Sequence, residues 1–202
     1  MHAGSLTQAL AYHPGVSIRV QLSETAHARP RRDAFAILGL WLILFPVGMA
    51  LHESLHALAV LALGSHPVLV LRPWPLSLLP LTIPGIHIQP VPDLDPTGQF
   101  VDNLLGPGLA AAIFAITALR VRHGVLRAAL AANVLGLLFF ALIESADVAL
   151  DGRIEAAFLT SPEFNYGVPL LLALVVAATY QGLDRARGQD PSERRIRVHD
   201  HT

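Results

Sequence analysis

The sequence predicts an all-α integral membrane protein. It should have about four transmembrane helices, a short N-terminal strand and a Pro-rich, membrane-associated loop between helices one and two. Three observations predict this. The 202 residues are 53% hydrophobic and only 14% charged, with a mean hydropathy of +0.52, whereas a soluble domain carries about 25% charged residues. The charges are clumped and leave long uncharged stretches between them. The clumps also alternate in sign from one stretch to the next. A soluble enzyme and a disordered chain are excluded by this composition. A nucleic-acid binder is excluded by the formal net charge of −1 and the lack of a basic face. The absence of cysteine removes disulfides, thiolate metal sites and cysteine nucleophiles.

From Ala34 to Leu71 the one formally charged residue is Glu53, a run well beyond the roughly 20 residues needed to span a bilayer. Helix one is read from Ala34 to Leu63, with Gly64 as its stop and Pro46 as a place for a kink. Further uncharged runs cover Leu104–Leu119, Ala128–Ile143 and Phe164–Leu183. The first two of these are short, so their helices should extend into flanking residues. Arg29, Arg31 and Arg32 precede helix one, Arg120, Arg122 and Arg127 separate helices two and three, and Arg185, Arg187, Arg194, Arg195 and Arg197 follow helix four. Asp93, Asp95 and Asp102 lie in one of the two other connections, and Asp147, Asp151, Glu155 and Glu163 in the other. The positive-inside rule reads this as a multi-pass protein of the cell membrane with both termini cytoplasmic. The chain then divides into a cytoplasmic segment at 1–33, a transmembrane core at 34–183 and a basic cytoplasmic tail at 184–202.

Two segments are not spans. Residues 16–22 alternate apolar and polar, which predicts a strand. Residues 64–103 hold eight of the fifteen prolines among apolar stretches. That density forbids a long helix and predicts a loop on or dipping into the membrane, with room for a short hairpin.

Within helix one, residues 52–56 read His52-Glu53-Ser54-Leu55-His56. Histidines four apart stand on one helical face, one turn above the other, and both can bind one Zn²⁺. Glu53 follows the first of them directly, where a general base can take a proton from the attacking water. The bland alternative is a set of buried polar residues bonding neighbouring helices, or a proton relay. Three ionisable groups within five residues of a membrane helix need a compensating partner, and one divalent cation compensates all three.

Zinc held by two histidines needs a third protein ligand and an open position. The topology brings the outer end of helix three to the level of the histidines. There Asn133, Phe140, Glu144, Asp147 and Asp151 share a narrow stripe at 100° per residue. Asp147 is the first choice for third ligand, Asp151 the second and Glu144 the third. Asp151-Gly152 also reads as an ordinary helix C-terminal turn. His66 and His87 in the Pro-rich segment are lesser candidates.

These pieces together resemble the site-2 protease family of intramembrane zinc metalloproteases. A strand-like Gly15–Val20 precedes the histidine motif, which lies inside an apolar helix and is followed by the Gly64 stop. The Pro-rich loop leads to Asn103-Leu104-Leu105-Gly106-Pro107-Gly108, similar to the family's Gly-Pro motif at the start of the next span, and an acidic residue closes helix three. The resemblance covers about residues 15–152. It departs from the family at Glu144–Gly152, which has no proline where an Asn-Pro-x-x-Asp-Gly-like segment is usual, and at 110–112, where alanines replace an asparagine. It implies a divergent, minimal zinc metalloendopeptidase. His52, His56 and Asp147 would be metal ligands, Glu53 the catalytic base, and a membrane protein or peptide the substrate within the lipid bilayer. The rival readings are a membrane zinc-binding transporter and a non-catalytic adaptor of the same fold.

Overall fold

Among the described residues, four helices and one hairpin follow one another as α1 (Arg29–Ala62), β1 (His66–Pro75), β2 (Thr82–Val91), α2 (Pro96–Arg120), α3 (Gly124–Ala149) and α4 (Pro162–Gly188). The computed structural model describes residues 29–75, 82–150, 152–154 and 161–188. The strand expected at 16–22, the tail beyond 188 and Asp151 lie outside the described residues. All four helices are long and apolar enough to cross a membrane. The expectation of an all-α chain is thereby refined to a helical bundle carrying one two-stranded antiparallel sheet.

The helices begin and end where local chemistry dictates. α1 stops at Gly64, whose φ of +86° is open to glycine at little cost. Ser65 N–H donates to Val60 O and Gly64 N–H to Leu61 O, closing the orphan carbonyls of the last turn. α2 starts eight residues earlier than its apolar run. The Asp95 carboxylate accepts from Gly98 N–H at 2.6 Å, and Pro96 fills the first helical position. α3 ends at Gly152, with φ +74° and its N–H on Asp147 O, which is the C-terminal turn that Asp151-Gly152 suggests. Between α2 and α3 the turn is only residues 121–123, and the Arg127 guanidinium ties it by donating to Val121 O. α4 starts at Ser161, whose Oγ accepts from Phe164 N–H.

α3 is the central helix. On one side its Val125, Ala128, Ala129 and Ala132 pack with Ile37 and Trp41 of α1 and Ala173 and Ala177 of α4. On the other, its Leu130 and Leu137 meet Ala110, Ala111, Phe114 and Ala118 of α2. Alanine dominates these contacts and lets the helix backbones approach closely, as is common between helices long and apolar enough to cross a membrane. The large apolar side chains point the other way. Phe35, Leu42, Ile43, Ile116, Leu142 and Leu171 are each more than half exposed, as on a surface that faces hydrocarbon.

The Pro-rich segment folds as a hairpin longer than the sequence suggests, with Leu69 opposite Ile88 and Pro67 opposite Pro90. Ile88 N–H points away from β1, because it donates to Glu53 of α1 at 2.9 Å. Backbone direction in a strand has a period of two. The positions of Pro67, Pro73, Pro75, Pro84 and Pro90 therefore also face outward, where a missing N–H costs the ladder nothing. Proline blocks a helix here and tolerates a sheet.

Candidate metal centre

His52 and His56 lie on the inner face of α1, 2% and 7% exposed, where α1 meets α2 and α3. Their Nε2 atoms are 2.8 Å apart. From α3, Glu144 reaches the same place, with Oε2 at 3.3 Å from His56 Nε2 and 3.5 Å from His52 Nε2. Among the described residues these three form the group that could hold a metal ion. A point equidistant from the three atoms lies about 1.9 Å from each, close to the roughly 2.0–2.2 Å at which zinc binds imidazole nitrogen and carboxylate oxygen. The donor set of two imidazoles and one carboxylate also suits a catalytic zinc site, which keeps one position open.

Surrounding groups hold the rings in place. His56 Nδ1 is 3.0 Å from Asp102 Oδ1, a carboxylate on α2 that is 2% exposed. Gly106, one turn further along α2, lies so close to the His56 ring that an added Cβ would stand 2.6 Å from its Nε2 and Cδ2. His52 packs against the Phe140 ring of α3, with centroids 5.9 Å apart. Its Nδ1 is buried and has no hydrogen-bond partner among the described residues. Asn103 of α2 donates to the backbone carbonyl of Glu144 at 2.8 Å, so α2 also fixes the part of α3 that carries the third donor.

The group lies in the wall of a cavity of about 600 Å³, which Glu53, the Ile86–Pro90 stretch of β2, Asp93, Gln99, Asp147 and Asn165 also line. One oxygen of Glu53 accepts Ile88 N–H. An ionised carboxylate has about four acceptor sites, so this bond leaves room for a water.

Several expectations move. Glu144, the third choice for third ligand, is the acidic residue beside the two histidines, whereas Asp147, the first choice, is buried one turn further along α3 and lines the cavity outside that group. Position along α3 separates the two. His56 lies eight residues before Gly64, and Glu144 is the acidic residue of the stripe that lies deepest in α3. His87 lines the cavity, His66 is exposed at the head of β1, and neither is in the group. Asn103–Gly108 lies two turns inside α2 rather than at the start of a span. Sequence reasoning assigned no site role to Asp102 or Gly106. The signal was available, since they stand four apart and share one face of a helix. Comparison of the chain with family models, with curated proteins and with solved structures gives no match in any of the three.

Proposed function

We propose that the chain is an intramembrane zinc metallopeptidase of the cell membrane, with both termini cytoplasmic, that cleaves a peptide bond in or near a membrane-spanning segment. One observation carries this reading. Two imidazole nitrogens and the Glu144 carboxylate converge in the wall of a cavity that also takes in Glu53, the neighbour of His52 in sequence. Zn²⁺ held by His52, His56 and Glu144 would polarise the scissile carbonyl and make the attacking water more acidic. Glu53 accepts the proton of that water and delivers it to the amine as the C–N bond breaks, leaving a carboxylate and a free amine. The helices keep lipid away from the water and the opened backbone, neither of which can sit against hydrocarbon. The substrate helix must unwind locally, and the outer edge of β2, which lines the cavity, would hold the opened segment through the backbone groups other than the Ile88 N–H that Glu53 accepts.

The test is Glu53→Gln in the full chain, purified in detergent and reconstituted in vesicles with membrane-spanning peptides. The amide can hydrogen-bond but cannot take up a proton near neutral pH. The variant should keep zinc and fold and lose cleavage. Equal cleavage by wild type and variant refutes the role of Glu53. Zinc transport into the vesicles with no cleavage by wild type replaces the peptidase reading with the transporter.

A further inference from the structure

The mechanism above does not use Asp102. It is a fully buried carboxylate in a chain with few charges, it stands well inside α2, and its Oδ1 lies 3.0 Å from His56 Nδ1. A buried carboxylate in an apolar helix is costly unless it is matched to a partner. We propose that Asp102 is a positioning residue that sets the tautomer and ring angle of His56 and thereby raises the affinity of the centre for a divalent cation. The proposal rests on the metal reading above, and it assigns a role outside the three donors and Glu53.

An ionised carboxylate only accepts hydrogen bonds, so Asp102 keeps a proton on His56 Nδ1. Nε2 is the ring atom facing His52 Nε2 and Glu144 Oε2, and once a cation displaces any proton shared with Glu144 there, it is Nε2 that supplies the lone pair. Without Asp102 the ring could carry its proton on Nε2, which would point a donor into the centre. The ring is held from a second side by Gly106, whose missing side chain leaves room for it. Asp102 and Gly106 together fix the position of the His56 ring and keep a proton on its Nδ1. Among the described residues His52 shows no such anchor: its Nδ1 has no hydrogen-bond partner there and its ring packs on Phe140. Partners of this kind typically change metal affinity by about 10–100-fold.

Two measurements on the full chain in detergent test the proposal. The first reads the tautomer in metal-free wild type by long-range proton–nitrogen NMR of ¹⁵N-histidine, with His56 assigned from His56→Gln. His56 Nδ1 should carry a proton in wild type and lose it, wholly or in part, in Asp102→Ala. A wild-type His56 whose Nδ1 carries no proton overturns the proposal, whatever the metal does. The second is zinc affinity by competition with a chromophoric chelator. Asp102→Asn keeps an acceptor oxygen without the charge, so affinity should fall in the order wild type, Asp102→Asn, Asp102→Ala, with a total loss of about 10–100-fold. A folded Asp102→Ala that binds zinc as tightly as wild type, while His56→Ala does not bind, also overturns it. A wild type that binds no zinc defeats the metal reading and the affinity part of the proposal, and the NMR result still judges the tautomer part.

Discussion

Gly106→Ala should damage the centre without replacing any group that could bind metal. The added Cβ would stand 2.6 Å from Cδ2 and Nε2 of His56 and 2.7 Å from Cε1. Comfortable carbon contacts are about 3.5–4.0 Å, so the ring or the helix must give by roughly 1 Å. The ring has little freedom. Its Nδ1 is held by Asp102 at 3.0 Å, and its Nε2 faces His52 at 2.8 Å and Glu144 at 3.3 Å. Overpacking of this kind costs about 1–3 kcal/mol, against about 1 kcal/mol gained from replacing glycine in a helix interior. A plausible metal site tolerates about 0.2 Å in its ligand distances, so the shift should cut zinc affinity at least tenfold, which is about 1.4 kcal/mol. Gly108→Ala is the internal control. It lies in the same helix, and its Cβ would meet nothing within 4 Å, so it takes the helix gain without the clash. Zinc competition and thermal unfolding of both variants in one detergent give the comparison. Equal zinc affinity and equal melting for the two variants would refute the argument that the helix spacing at Gly106 sets the position of His56.

The remaining predictions concern the donors and the helix contacts. Purified protein should hold about one zinc per chain, and His52→Ala or His56→Ala should remove it; full zinc retention in the double alanine variant, by metal analysis, ends the metal reading. Glu144→Ala should lose stoichiometric zinc while Asp147→Ala keeps it, and the reverse ranking would return the third donor to Asp147. Asn103→Ala removes the bond to the Glu144 carbonyl and the partner of Gln99. It should destabilise the fold by about 1–2 kcal/mol, read as a lower melting temperature, and an unchanged value would show that the α2–α3 contact does not depend on it.

Much of this arrangement was legible in the chain, and the failures share a cause. The bundle was readable because membrane helices announce themselves by missing charge, and α1 ends at Gly64 because its left-handed φ favours glycine. The start of α2 was not readable that way. Its first two turns, Pro96–Asn103, are polar and look like the connection before them. That error put Asp102 in a loop and Gly106 at a helix start, which concealed the pair that holds His56. The pairing of His52 and His56 followed from helix periodicity alone. Choosing among Glu144, Asp147 and Asp151 needed relative depth. Depth depends on how two helices slide past each other, and a single sequence does not encode that locally. The hairpin was half legible: proline density excluded a helix, but the alternation that permits ten-residue strands appears only once the pairing is known.

That alternation has a consequence for how this protein behaves beside other chains. Along the outer side of β2, Pro84 and Pro90 bracket Ile86 and Ile88, and along the outer side of β1, Pro67 and Pro73 bracket Leu69 and Leu71. Between its bracketing prolines each border therefore offers two N–H groups, and on β2 one of the two is already taken by Glu53. An apolar ribbon with open borders would be a template for runaway stacking, copy upon copy. Here the prolines act as punctuation: a visiting segment can pair over a few residues and then runs out of donors. The spacing of the prolines thus limits the stretch over which another strand could pair with either border of this hairpin.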